Sequence, residues 1–383
     1  MKFRSAFVVL SFMVVAVSVP AAANGPVVIG ALYNLSGGQQ DLDLPSSRGA
    51  RLAVDVANTG KGVLERKVTM VLVDGRTQPD VITQETRGLF SNNPEIAGLI
   101  GFSDTDMVLA AAPVAAEHGR VFVTSGATSP LLPRQVPGFL FLACFGDNVQ
   151  AAAGAEWAYD SLKARTVVVL YKDGNSYTRL LHQYFETRFK ELGGEVRAVE
   201  AYTLSDFKAK ARALPQADLV YLAAQPEEVA MAVPALRAAG IDAPILGGDG
   251  LDIGAAWAKV DDVHDVYFTT HTYLGADNPD PAVKQFEAAF ASAYPGKEPD
   301  AFTALGYDAA RLLMAAIESA GSTDPQAVRD AVAGTTDFHG VTGTISFAPG
   351  SQIPAKSVTI MAVNGSRQRL AASILPSVVP PPR

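Results

Sequence analysis

Short apolar runs alternate with helix-like stretches along this chain, and they do so in two successive sets. In the first set, apolar runs at 27–32, 68–73 and 96–100 are separated by helical spacing at 46–58 and 81–90. Ala50, Ala53, Val54 and Ala57 fall on one face of the first helix, which Ser46 or Ser47 is expected to cap. Runs this short and continuously apolar, each followed by a helix, read as parallel strands covered on both faces. After the run FLFLACF at 139–145 the alternation restarts. A helix from Asp147 leads to strands at 166–171, 195–202, 219–222, 245–246 and 266–270, with helices at 177–192 and 227–239. The right-handed crossover rule turns each set into a doubly wound α/β lobe. A length of 383 residues agrees, because single cores stop growing at ~250–300 residues.

Two amphipathic helices at 281–294 and 301–319, and a shorter one from Pro325, are expected to return to the first lobe. FHGVTGTISF reads as a short β-turn element, 357–363 as the last strand, and the Pro-rich end SVVPPPR as disordered. At the other end, Lys2 and Arg4 precede an apolar run at 6–19 and an Ala-Ala-Ala site, the pattern of a cleaved secretory signal over 1–23. The run is short for a spanning helix, and no cysteine follows the cut as a lipid anchor would need. An exported protein with no membrane anchor is the expectation.

Charge and motif content narrow the chemistry. Without Lys2 and Arg4 the chain carries 29 basic and 39 acidic residues, a net of −10, and no basic patch, so nucleic acid is not an expected partner. His118, His182, His264, His271 and His339 lack metal-ligand spacing, GFSDT lacks the second glycine of a nucleophile elbow, and NTGKG is not a phosphate loop. Neither an enzyme, a metal nor a cofactor is expected. Cys144, the sole cysteine, reads as a small buried hydrophobe.

What remains is a pair of turns, GFSDT after the strand at 96–100 and SGATSP after the next one. Both sit at the C-terminal ends of strands, where open α/β sheets collect ligands. They offer the Thr105 and Thr128 hydroxyls together with free backbone N–H groups, a set that suits a small polar anion.

Over essentially the whole exported part, the chain resembles the periplasmic leucine/isoleucine/valine-binding protein family, the type I solute-binding proteins of ABC transporters. The likeness rests on the order and spacing of VVIGALYNLSG, RGARLAVDVAN, LIGFSDT, SGATSP, VVVLYKDGNSY, PALRAAGI, ILGGDG, LGYDAARLLMAAIESAGS and FHGVTGTISF. The resemblance implies a type I periplasmic binding fold, two lobes joined by a three-crossing hinge. Lobe 1 would hold 24–145 plus 273–349, lobe 2 would hold 146–272 plus 350–375, and 376–383 would be a disordered tail. It implies a periplasmic monomer that closes over a small amino acid and hands it to a permease in the inner membrane. Carried across, the carboxylate-binding hydroxyl falls on Thr105, a backbone contact on Gly126 and the second hydroxyl on Thr128. The pocket tyrosine falls on Tyr177, and the acid that holds the ammonium on Asp249, one carbon shorter than the usual glutamate. Leu42 and Gln225 (or Ala224) stand where aromatic residues are usual. Asp104 and Asp106 flank Thr105 where small hydroxyl residues are usual; Asp106 is expected to cap its own helix, the alternative being a ligand with additional positive or amide groups. These departures keep open a transport or sensory receptor for a non-amino-acid ligand such as an aromatic acid or amide.

Overall fold

The computed structural model describes residues 25–276 and 278–382, so the expected signal sequence at 1–23 lies outside the described residues. The chain first alternates β1 (Val27–Tyr33), α1 (Gln40–Thr59), β2 (Val68–Asp74), α2 (Pro79–Asn92), β3 (Leu99–Gly101), α3 (Thr105–Glu117), β4 (Phe122–Thr124), α4 (Leu132–Gln135) and β5 (Leu140–Leu142). These five strands form a parallel sheet of order β2-β1-β3-β4-β5. The second set runs α5 (Asp147–Asp160), β6 (Thr166–Lys172), α6 (Ser176–Glu191), β7 (Glu195–Tyr202), α7 (Phe207–Ala213), β8 (Leu219–Ala223), α8 (Pro226–Ala238), β9 (Ile245–Gly247) and β10 (Val266–Thr270). After it come α9 (Pro281–Ala293), α10 (Ala301–Ala320), α11 (Pro325–Ala333), the hairpin β11 (Phe338–Gly340) and β12 (Gly343–Ile345), then β13 (Val358–Asn364) and β14 (Arg367–Ile374). The second sheet has the order β14-β13-β10-β9-β8-β6-β7, parallel except for β13 and β14.

Both sheets are covered on both faces, as continuously apolar strands require. In β6, Val167 and Val169 point into a core with Leu181, Phe185 and Tyr221, while Val168 and Leu170 point into another with Phe207, Val229 and Leu236. The first sheet divides likewise, with Ile29 and Ile100 facing Leu313 of α10, and Leu32 and Leu99 facing Ile82 and Val108 of α2 and α3. Each such side chain, fully buried, contributes roughly 1.5–3 kcal/mol. Helices α9 to α11 therefore belong to the first lobe although they follow the second in sequence. The chain passes between the sheets after β5, after β10 and before β13.

Four expectations fail. Helix α1 starts at Gln40, with Pro45 inside it, so neither Ser46 nor Ser47 is its cap. Tight packing on α10 outweighs the proline: a Cβ on Gly49 would lie 1.8 Å from the Thr303 carbonyl oxygen, and one on Gly306 would lie 1.9 Å from that of Ser46. The cap expected at Asp106 is formed by Asp104 instead. The strand at β13 is not the last, because the half-exposed β14 pairs against it. The tail described through 382 is packed rather than disordered. Glu156 accepts from the Ser377 amide at 2.9 Å and from its hydroxyl at 2.7 Å, and the Pro380 carbonyl accepts from Asn148 at 2.8 Å.

One buried polar node sits where the crossings come together. Asp308, fully buried in α10, accepts from the Val341 amide at 2.9 Å, the Thr342 amide at 2.8 Å and the Thr342 hydroxyl at 2.7 Å. Lys356 donates to the Thr342 hydroxyl at 2.6 Å and to the Ala143 carbonyl at 2.9 Å, so the node joins the segments after β5 and before β13. Burial pulls the Lys356 ammonium down to about 8, against the opposing pull of Asp308. Nearby, Cys144 is wholly buried and its thiol donates to the Ala127 carbonyl at 3.3 Å. No described helix is long and apolar enough to cross a membrane.

Candidate ligand-binding cleft

Strand β1 lies between β2 and β3, and β6 between β7 and β8, so the winding reverses beside each of them. Such reversals open a crevice at the C-terminal ends of the strands. The loops after β1, β3 and β4 of one lobe meet those after β6, β8 and β9 of the other. The turn after β3 is sharp: Gly101 has φ +149° and Phe102 φ 44°. A Cβ at Gly101 would come within 1.9 Å of the Leu32 carbonyl, so only glycine fits there. The turn delivers Asp104 to the N-terminus of α3, where its Oδ1 accepts from the Asp106 amide at 2.9 Å and the Met107 amide at 3.3 Å.

A narrow cavity lies between the lobes, lined by Leu42, Ser103, Asp104, Thr105, Thr128, Tyr177, Gln225, Asp249, Gly250 and Phe302. Six of the seven expected site residues line it. The exception is Gly126, whose amide is donated to the Phe102 carbonyl at 3.3 Å and which packs against Ser103. Leu42 and Phe302 form the apolar wall, Phe302 supplying an aromatic ring that Leu42 and Gln225 do not.

On the second lobe the cavity is built around Asp249. Its Oδ1 accepts from Tyr177 and from Gln150, both at 2.8 Å, and its Oδ2 lies 3.0 Å from His271 Nε2. Tyr177 in turn accepts from the Gly250 amide at 3.0 Å, and Gln150 from the Asp249 amide at 3.1 Å and the Thr269 hydroxyl at 2.7 Å. His271 stacks on Phe145 at 4.0 Å, and burial draws its pKa below the usual imidazole value. It is therefore the neutral ring that donates Nε2–H to Asp249. The carboxylate is fixed from three sides and faces the cavity.

On the first lobe Thr105 is 3% exposed, and its buried hydroxyl has no partner among the described residues. Gln225, before α8, has its amide held by Glu228 at 2.9 Å, and its side chain reaches across the cleft to donate to Asp104 Oδ2 at 3.3 Å. The two lobes are closed on each other.

Acid groups crowd this interface without a cation among the cavity residues. Burial lifts Asp147 to about 8, with Asp249 adding repulsion, and lifts Asp104 to about 6, with Asp106 adding to it. Burial likewise carries Asp43 to about 7. These carboxyls bind protons more tightly folded than unfolded, where a carboxyl titrates near ~4. Their protonated forms stabilise the fold at low pH, and that contribution is lost as pH rises through the folded values. The ligand-free protein should thus lose roughly a few kcal/mol of stability between about pH 5 and 8, with Asp147→Asn flattening the decline in denaturant titrations. A stability that rises over that range would contradict this placement of the acids.

Sequence reasoning missed Gln150, His271 and Phe302. His271 was within reach, since it directly follows the C-terminal end of β10, the same position that drew attention to the turns of the first lobe.

Two doubly wound lobes, three crossings and a closed polar cleft define a hinged solute-binding protein. The chain belongs to the periplasmic binding protein family, whose model matches residues 26–368. It is a binding protein of the ABC-transporter type. It is similar to the Leu/Ile/Val-binding protein homolog 1 of Brucella suis, with 26% identity over 306 residues, 78% of this chain and 80% of that one. Among solved structures it resembles the leucine-binding protein LivK of Thermotoga maritima, with a TM-score of 0.81, 30% identity, and coverage of 91% of this chain and 99% of that one. It shares its fold with an ABC-transporter solute-binding protein of R. palustris solved with benzoate, at a TM-score of 0.80 and 21% identity, covering 93% of this chain and 98% of that one.

Proposed function

We propose that this chain is the exported receptor of an ABC importer and closes its lobes over a small amine-bearing solute related to the branched-chain amino acids. It then presents that solute to a permease in the inner membrane. The observation that carries the reading is Asp249, a carboxylate fixed by Tyr177, Gln150 and His271 and turned into an interlobe cavity. A carboxylate held in this way suits a charge-assisted hydrogen bond to an ammonium group. The apolar wall of Leu42 and Phe302 would face the solute's side chain. The names of the relatives support the same class of solute. An aromatic acid, the second reading, is disfavoured by the two carboxylates, Asp104 and Asp249, that line the cavity with no arginine or lysine beside them. Mass spectrometry of solute released from the freshly purified protein should find a small amine. Recovery of an aromatic acid alone would overturn the reading.

A further inference from the structure

In the cleft, Asp104 stands where three helix N-termini converge. It caps α3 itself, accepting two of that helix's free amides. Gln225 and Asn175, the residues immediately before α8 and α6, reach it from the opposite lobe, Gln225 through a hydrogen bond at 3.3 Å and Asn175 closely enough to favour its charged form. Helix N-termini carry free donors and partial positive charge, and a carboxylate is what such a place accepts. Here the protein supplies that carboxylate. Beside it the buried Thr105 hydroxyl points into the cavity without a partner. Asp104 Oδ2 receives a long bond from Gln225, at 3.3 Å. No lysine or arginine lines the cavity to offset a second anion.

We infer that Asp104 occupies the cleft's own anion place, so that the solute carries no free carboxylate and is an amino amide. The inference rests on the receptor reading above. The amine lies on Asp249, and the far polar end of the solute, a neutral N–H donor, is received by Asp104 Oδ2 and the Thr105 hydroxyl. A zwitterion would set its carboxylate against Asp104, and repulsion between two carboxylates in a closed cleft is poorly screened.

The test uses matched pairs that differ only at the carboxyl group: leucine with leucinamide, and alanine with alaninamide, titrated calorimetrically into the ligand-stripped exported chain near neutral pH. At least one amide should bind ~10-fold or more tightly than its acid. The variant Asp104→Ser keeps a capping oxygen for α3 while vacating the anion place, and it should invert the preference toward the acid. Circular dichroism and the thermal midpoint establish that the variant is folded. Equal or tighter binding of both acids by the parent chain overturns the inference while leaving the receptor reading in place. So does an amide-to-acid ratio that Asp104→Ser leaves unchanged. Silence of all four probes with both proteins counts against the receptor reading itself, and the inference falls with it.

Discussion

Replacing Asp249 with alanine is expected to weaken binding of the cognate amine by more than ~10-fold in calorimetry, the largest effect on affinity of any single change in the cleft. Two losses combine. The ammonium loses its only fixed carboxylate on the second lobe, and hydrogen bonds to charged groups are worth roughly 1.5–3 kcal/mol each. In addition, the Tyr177 hydroxyl, the Gln150 amide and His271 Nε2 lose the acceptor that holds them at 2.8 to 3.0 Å. They would then turn toward one another or into the cavity, and the second lobe would present a disordered set of donors to an ammonium that is itself a donor. Asp249→Asn separates the two losses, since it keeps an acceptor for Tyr177 while removing the charge. Affinity unchanged in the alanine variant would remove the ammonium role from Asp249.

The second large effect belongs to stability. Asp308→Ala should cost roughly 3–5 kcal/mol in denaturant unfolding, the range for removing one partner of a buried charged network. The carboxylate is the acceptor for two buried amides and the Thr342 hydroxyl, and it offsets the buried Lys356 ammonium. With the acid gone, the burial that lowers the Lys356 pKa is less opposed, and the ammonium is held more weakly still. Asp308→Asn retains one acceptor oxygen and should cost less. Gly340 packs so closely that a Cβ there would lie 2.4 Å from Asp308 Oδ2, which explains why the hairpin turn is glycine on this side. Equal stability of the parent and the alanine variant would show that the node does not tie the crossings together.

What could be read from the sequence follows physical lines. Strands β7 and β10 were legible to the residue for different reasons: β10 is a mostly buried run, whereas β7 is a half-exposed edge strand in which apolar and polar residues largely alternate from Glu195 to Tyr202. Thr105, Thr128, Tyr177, Gln225, Asp249 and Leu42 could be placed at the cleft because strand ends and family spacing locate loops well. Choosing between Asp104 and Asp106 as the cap was harder. Both precede the same helix within two residues, and the choice depends on the backbone at one of them: Asp104 is extended, with φ −113° and ψ 139°. For Gly126 the sequence could not show that its amide is donated to the Phe102 carbonyl, a pairing that depends on how the turns after β3 and β4 pack. Strand β14 alternates weakly and is half-exposed, so it offered little signal, and the tail is held by Glu156, Arg188 and Asn148 from distant parts of the chain. Gln150, within α5, could only be recognised once that helix had met the turn after β9 around Asp249.

The sealed position of Cys144 has a practical consequence. Burial raises its thiol well above the usual value, so the chain's sole cysteine would stay silent toward maleimide dyes in the folded protein. A single cysteine introduced on the outer rim of either jaw would then be the one attachment point for a fluorophore. The molecule is already suited to conversion into an optical sensor of its own solute.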